Sequence, residues 1–431
     1  MNVTKKTVPP ILHFPVGFYE LLYLYASMKY YIIAGEASGD LHGSNLIKEL
    51  KKADPATDVR CWGGDLMEQA GGTLVKHYKE LAFMGFVEVL TNLRTIFRNL
   101  DFCKEDILAY NPDALILVDY PGFNMRIAKW ARRQGLTIIY YISPQVWAWK
   151  ENRVRQIREN VDKMLVILPF EKEFYRKWEY PVEYVGHPLV EVIDRFRSEN
   201  PGSGLSIQRN QTAAVSSSSP QASDPSPAPA RGWTSAPPLS IIALLPGSRK
   251  QEILKKLPIM LQVARFFPDH FFVVAMAPGL EDEFYTSLLE GYPNVGSVRN
   301  QTYALLSAAK AACVTSGTAT LETALFGVPE VVCYKGNAVS YQIARRLIKV
   351  KYISLVNLIM DKLVVKELIQ DQLTPENLRQ ELQELLKDPQ RQAQLRTDYR
   401  DLHELLSLGG HASANAAASI LKFMRSRSLS D

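Results

Sequence analysis

The stretch Ala311-Ala312-Cys313-Val314-Thr315-Ser316-Gly317-Thr318-Ala319-Thr320-Leu321-Glu322 decides how this chain is read. Its first five residues are the apolar run of a buried strand, and Leu321, Ala324 and Leu325 continue at the spacing of a helix. A strand, a glycine turn and a helix start with hydroxyls in its first turn form a natural seat for a phosphate. The first backbone N–H groups of a helix have no internal partner, and the helix dipole adds partial positive charge there. On this reading Ser316, Gly317, Thr318, Ala319 and Thr320 face phosphate oxygens, and Glu322 accepts hydrogen bonds from a sugar diol. The plainer reading is that Ser316 or Thr318 caps the helix and Glu322 complements its dipole. These residues alone leave both open.

The same strand–helix alternation runs through both halves of the 431-residue chain. Tyr30–Ala34, Ala114–Val118, Thr137–Ile142 and Met164–Leu168 read as buried parallel strands, and so do Ile241–Leu245, Phe271–Ala275, Ala312–Thr315 and Glu330–Tyr334. Two such arrays predict an α/β protein of two doubly wound, Rossmann-like domains facing a cleft, with the loops after the strands turned towards it. Between the arrays, residues 201–240 hold 7 Pro, 10 Ser and 6 Ala, too little apolar surface to offset the entropy of ordering. The expected division is therefore an extension over 1–27, a first domain over 28–199, an insertion or linker over 200–239, a second domain over 240–395, and C-terminal helices over 396–431 returning to the first.

Composition narrows the function. A formal net charge of +5 is too weak to argue for nucleic acid, yet it suits phosphate ligands or an anionic membrane surface. The four cysteines form no C-x-x-C pair, and the chain has no D-x-D and no H-x-x-x-H, so neither a metal nor a cofactor is expected. No apolar run reaches the length of a membrane span. Residues 1–27 begin like a signal peptide, but His13, Pro15 and Glu20 interrupt the apolar centre, and Met28 stands directly before a strand.

In the first half, the strand at 30–34 leads into Gly35-Glu36-Ala37-Ser38-Gly39-Asp40. Its glycine spacing is wrong for a dinucleotide fold, and Glu36 and Asp40 would repel a pyrophosphate. They suit hydroxyl recognition or proton transfer, unless Ser38 or Asp40 simply caps the helix. The strand at 114–118 leads into Asp119-Tyr120-Pro121-Gly122-Phe123-Asn124. A carboxylate at that position points into the cleft and makes Asp119 the best candidate general base; bracing of the loop is the alternative. Ser143-Pro144-Gln145-Val146-Trp147-Ala148-Trp149 places two tryptophans in one loop, either as a sugar-binding wall or as core. Phe86, Leu90, Leu93, Phe97 and Leu100 form a helical stripe that reads first as core and otherwise as a groove for acyl chains or a membrane face.

In the second half, Pro246-Gly247-Ser248-Arg249 follows a strand, with Glu252 one turn on. The Pro-Gly turn allows close backbone approach, and Ser248 and Arg249 bring donors for phosphate oxygens. Two phosphate-facing turns in one array favour a nucleotide diphosphate. The basic stretch at 341–351 reads as a solvated face or as a contact with anionic lipid.

Taken in order, G-E-A-S-G-D at 35–40, S-P-Q-V-W-A-W at 143–149, V-G-H-P at 185–188, L-P-G-S-R at 245–249 and S-G-T-A-T-L-E at 316–322 resemble the lipid A disaccharide synthase family. The run Lys349-Val350-Lys351-Tyr352-Ile353-Ser354-Leu355 is similar to that family too. The resemblance covers residues 28 to about 425, outside the insertion. It implies a GT-B glycosyltransferase that moves 2,3-diacylglucosamine from its UDP ester to 2,3-diacylglucosamine 1-phosphate, without a cofactor or metal. The implied location is the cytoplasmic face of the inner membrane of a Gram-negative bacterium. Implied partners are the two lipid substrates and the membrane surface, with a homodimer allowed. Gly247, Ser248, Arg249, Ser316, Gly317, Thr318, Ala319, Thr320 and Glu322 fall on donor motifs. Glu36, Ser38, Asp40, Asp119, Asn124, Ser143 and Trp147 fall on the acceptor side, and His187 reads as a hinge. Many relatives carry a second Asp where this chain has Gly122, which puts more weight on Asp119.

Overall fold

The structure is a computed structural model, and it describes residues 27–81, 93–149, 151–201, 205–209, 240–336, 341 and 350–428. The chain forms two compact units. The first holds the residues up to Pro144, Gln156–Leu165 and those from Ser413 on; the second holds Gln145–Arg155 and Val166–Ala412.

Each unit is built on a sheet. The first sheet has β1 (Lys29–Ala34), β2 (Asp58–Gly63), β3 (Thr73–His77), β4 (Ala114–Val118), β5 (Ile138–Tyr141), β6 (Lys163–Val166) and the short β7 (Glu183–Tyr184). Their order is β3-β2-β1-β4-β5-β6-β7, and β1 runs parallel to both β2 and β4. The second sheet has β8 (Gln208–Arg209), β9 (Ser240–Leu245), β10 (His270–Met276), β11 (Val295–Arg299), β12 (Ala309–Thr315), β13 (Glu330–Tyr334) and β14 (Lys366–Ile369). Its order is β14-β13-β12-β9-β10-β11-β8, parallel except that β8 pairs antiparallel with β11. In both sheets the first long strand of the unit is central and the strand order reverses beside it, at β1/β4 and at β9/β12. Loops after those strands open at the switch point, where α/β sheets bind ligands.

The central strands are apolar throughout because helices cover both sheet faces. In the second unit Ile242, Leu244, Val274 and Cys313 join one core cluster, and their neighbours Ala243, Leu245, Val273 and Val314 join the other. That alternation is the two-residue period of a strand. Polar atoms on β1 and β2 find charged partners instead. Arg60 on β2 makes a bidentate pair with Asp106 at 2.6 and 2.9 Å, and the Tyr31 hydroxyl donates to the same carboxylate at 2.6 Å.

The division between units falls earlier than the expected boundary at 199. The helix Pro188–Glu199 belongs to the second unit because Leu189, Val190 and Ile193 enter its core and Arg197 donates to the Leu325 carbonyl at 2.8 Å. At the other end, the helix Pro389–Ser407 stays in the second unit through Leu395, Tyr399, Leu402 and Leu406, while Ala412–Ser428 belongs to the first unit from Ser413 on.

Some sequence readings lie outside the described residues: those on 1–26, on most of the Pro/Ser-rich segment, on 83–92 and on 342–349. Of the stripe ending at Leu100, Leu100 itself is buried but Phe97 is 58% exposed, so its described part is not a continuous core face. Among the described residues no helix is long and apolar enough to cross a membrane.

Candidate active site

In the first unit two strand-end turns lie side by side, since β1 and β4 are neighbours in register from Tyr30↔Ala114 to Ala34↔Val118. Gly35 follows β1 with the Tyr120 ring pressed on it, and a Cβ there would fall 2.3 Å from that ring. Glu36 takes the N-cap position of the helix Ala37–Ala53 in extended conformation without capping it through its side chain. Ser38 is exposed in the first helical turn.

After β4 the backbone is left-handed at two successive non-glycine residues, Asp119 (φ 44°) and Tyr120 (φ 48°), before Pro121 opens a helix. Left-handed non-glycine residues carry strain that the surroundings must hold in place. Here the hold is visible. The Tyr140 hydroxyl donates to the Asp119 carbonyl at 2.6 Å, Asn124 Nδ2 donates to the same carbonyl at 2.7 Å and to that of Val118 at 3.2 Å, and the Tyr120 ring stacks on Phe123. Burial first, and then the negative charge of Glu36, push the Asp119 carboxyl up to about 6. A carboxylate in that range is suited to exchange a proton near neutral pH. The next strand end repeats the strain: Ile142, a β-branched residue, has φ 66° and leads into the buried Ser143.

The structure corrects the catalytic reading of Asp40. Its carboxylate accepts backbone N–H bonds from Gly64 (2.8 Å), Leu66 (3.2 Å) and Met67 (3.0 Å). It braces the first turn of the helix Asp65–Gln69 from a distance and is almost fully buried. Asn124 is fully buried, and its Nδ2 braces the turn at Asp119. Trp147 belongs to the second unit, where it packs edge-on to Phe170 with ring centroids 5.0 Å apart. His187 is a helix cap: its Nδ1 accepts from the Leu189 N–H at 3.2 Å, ahead of Pro188–Glu199. Gly122 sits in the first turn of its helix where a Cβ would meet nothing within 4 Å, so no steric cause excludes an Asp there.

In the second unit the turns after β9 and β12 are adjacent in the same way. Gly247 has φ 116°, and a Cβ on it would fall 2.7 Å from Glu252 Oε2. Ser248 and Arg249 are exposed, and Arg249 Nη1 faces Glu252 Oε1 at 3.4 Å. Gly317 has φ 146° with open space above it, ahead of the helix Thr318–Leu325. Thr318 is exposed at the helix start. Ser316 Oγ donates to the Ile353 carbonyl at 2.9 Å, fixing the turn. Thr320 is fully buried and its hydroxyl donates to the Gly317 carbonyl at 2.8 Å, so it shapes the turn from behind while Thr318 faces out. Glu322 accepts the Tyr303 hydroxyl at 2.9 Å, and burial raises its carboxyl above the ordinary range. Sequence reading passes over Tyr303, which lies 19 residues from its partner and carries no local signal.

Fold and site define a class. Structures with the same architecture include the UDP-GlcNAc 2-epimerase from Neisseria meningitidis bound to UDP-GlcNAc (TM-score 0.59, 13% identity, covering 92% of this chain and 100% of that one). The calicheamicin glycosyltransferase CalG4 is another (TM-score 0.54, 16% identity, 92% and 98%). The architecture is that of the GT-B glycosyltransferases and the related epimerases.

Sequence comparison selects the branch. The model of the lipid-A-disaccharide synthetase family matches residues 30–219 and 236–421. The lipid-A-disaccharide synthase of Syntrophus aciditrophicus (strain SB) is 37% identical over 401 residues, 92% of this chain and 98% of the relative. That of Nitrosococcus oceani is 38% identical over 384 residues, 88% and 92%. The chain belongs to the lipid-A-disaccharide synthase family and is a glycosyltransferase.

Proposed function

We propose that the enzyme transfers 2,3-diacylglucosamine from UDP-2,3-diacylglucosamine to 2,3-diacylglucosamine 1-phosphate, releasing UDP and forming a β-1,6-linked disaccharide 1-phosphate. Beyond family membership, the observation that carries this reading is Asp119: a strained, desolvated carboxylate at the switch point of the first sheet. The acceptor 6-hydroxyl attacks the anomeric carbon of the donor. Its oxygen forms the new C–O bond, its proton passes to Asp119, and the bond to the diphosphate breaks with inversion. Glu36, beside Asp119, orients the acceptor hydroxyls. The negative charge that develops on the leaving diphosphate is met by Arg249, Ser248, the Thr318 hydroxyl and the N–H groups at the start of Thr318–Leu325. Glu322, held by Tyr303, receives the ribose diol.

The lipid nature of both substrates supports a reaction at a membrane surface, which we assign to the cytoplasmic face of the inner membrane of a Gram-negative cell. The exposed Phe97, with Phe102 44% exposed on the same helix, supports this region as the acyl-chain or membrane contact. The test is UDP release measured with both diacylated substrates and with each alone. Release that needs both supports the proposal. Release from donor alone at an undiminished rate, or equal turnover with a deacylated acceptor, overturns it.

A further inference from the structure

A buried lysine near the donor turns takes no part in the mechanism above. Lys256 lies on the helix Lys250–Ala264 and is only 3% exposed. An ammonium taken out of water is costly unless it is paired. Its pairing is specific. It donates to the hydroxyl of Thr315, the last residue of β12 and the one before Ser316-Gly317. It also lies 3.6 Å from Glu252 Oε2, and Glu252 in turn faces Arg249 at 3.4 Å through its other oxygen. The same Nζ is 3.5 Å from where a Cβ on Gly247 would stand. A single cation therefore lies beside both turns assigned to the diphosphate, near Gly247 in one and bonded to Thr315 in the other.

We infer that Lys256 is a positioning residue for the donor diphosphate: it ties the turns at 246–249 and 315–318 together and shares the Glu252 charge that would otherwise neutralise Arg249. The inference rests on reading those turns as the UDP site. The charge count shows what is at stake. Arg249 and Lys256 contribute +1 each and Glu252 contributes −1, so the cluster carries +1 with Lys256 in place and zero without it. A buried lysine on a helix is also not what Lys255-Lys256 suggests in sequence, where two adjacent lysines read as a solvated face. The spacing does hold a signal: Arg249, Glu252 and Lys256 stand three and four residues apart, on one helical face.

The experiment is UDP binding by calorimetry to the full-length enzyme and to Lys256→Met, Lys256→Gln, Glu252→Gln, Arg249→Met and the double variant Lys256→Met/Glu252→Gln. Lys256→Met is expected to weaken UDP binding about tenfold, the size of a coupling between contacting charged groups. Removing the Glu252 charge in that background is expected to restore most of the loss, because Arg249 is released. A core-filling role for Lys256 would lower thermal stability and leave UDP affinity, and its rescue by Glu252→Gln, unmoved. Lys256→Gln keeps a donor for Thr315 without the charge and carries the test if the methionine variant does not fold. UDP affinity unchanged in both Lys256 variants, or a loss that Glu252→Gln does not rescue, overturns the inference while Arg249→Met still weakens binding. If Arg249→Met binds UDP like the parent, the assignment of these turns to UDP fails first, and the role of Lys256 fails with it.

Discussion

In the first unit the chain leaves β4 through Asp119 at φ 44° and Tyr120 at φ 48°, and β5 through Ile142 at φ 66°; in the second it leaves β9 through Gly247 at φ 116° and β12 through Gly317 at φ 146°. The two regions occupy equivalent places in their sheets and require unusual backbone in both. Glycine meets that requirement without steric cost, whereas other residues carry roughly 1–3 kcal/mol of strain each. The difference follows from what each turn presents. A phosphate seat offers backbone N–H groups and needs no side chain at the bend. On the proposed mechanism a general base must project a carboxylate from the bend itself, so the strain stays and is held by Tyr140, Asn124 and Phe123. One region is acidic and strained, the other cationic and relaxed.

The largest expected effect sets the two apart most sharply. Asp119→Asn should lower kcat by about 10²–10⁴ with UDP affinity unchanged, as for loss of a general base. Stopped-assay turnover and UDP calorimetry on the same preparation would show it, and a parallel loss of UDP affinity would break the division of labour. Arg249→Met should do the reverse, raising the Kd for UDP and the donor KM about 10–100-fold through loss of charge-assisted hydrogen bonds.

A pH profile gives the next effect. With Asp119 near 6, kcat/KM should fall about tenfold per unit below that pH. Because Glu36 is the second cause of the upward shift, Glu36→Gln should move the acid limb to lower pH. The stability sign is the opposite of a salt-bridged carboxylate. The folded value lies above the unfolded one, so the folded state binds the proton more tightly. Ionising Asp119 therefore costs stability as pH rises through the window from about 4 to 6. The Asn variant should melt higher than the parent at neutral pH and no higher below that window.

Backbone exchanges give the smallest effect. Gly317→Ala should cost about 1–3 kcal/mol in denaturant unfolding, because φ 146° with ψ −161° is a region essentially reserved for glycine. Tyr120→Gly should change stability little, since relief of about 1 kcal/mol of strain is offset by loss of the stack on Phe123. If both substitutions proved equally costly, strain would not be what separates the two regions.

These contrasts also explain what was legible in the sequence. The central strands read clearly: Ala114–Val118 and Glu330–Tyr334 agree end to end, because an unbroken apolar run bounded by turn residues has few other fates. The outer strands β2, β3, β11 and β14 did not, since Asp58-Val59-Arg60 or Lys366-Glu367 mixes charged residues into short segments whose stability comes from non-local partners such as Asp106. On the site side, residues at strand ends were visible because topology alone puts them there. Whether a carboxylate works or braces was not: Asp40 and Asp119 look alike in sequence, and only the three N–H groups aimed at Asp40 separate them. The pairings Tyr303–Glu322 and Lys256–Thr315 join residues far apart in the chain and have no sequence signature.

The antiparallel strand β8 has a consequence for how this protein tolerates change. Gln208–Arg209 is held on β11 and Ser240 begins β9, so whatever joins Arg209 to Ser240 starts and finishes on the same sheet, three strands or roughly 14 Å apart. A connection pinned at both ends within one unit adds only about 0.6 kcal/mol of closure entropy each time its length doubles. The number of residues there is nearly a free variable. By closure entropy alone, a change in the length of that connection costs the second unit little.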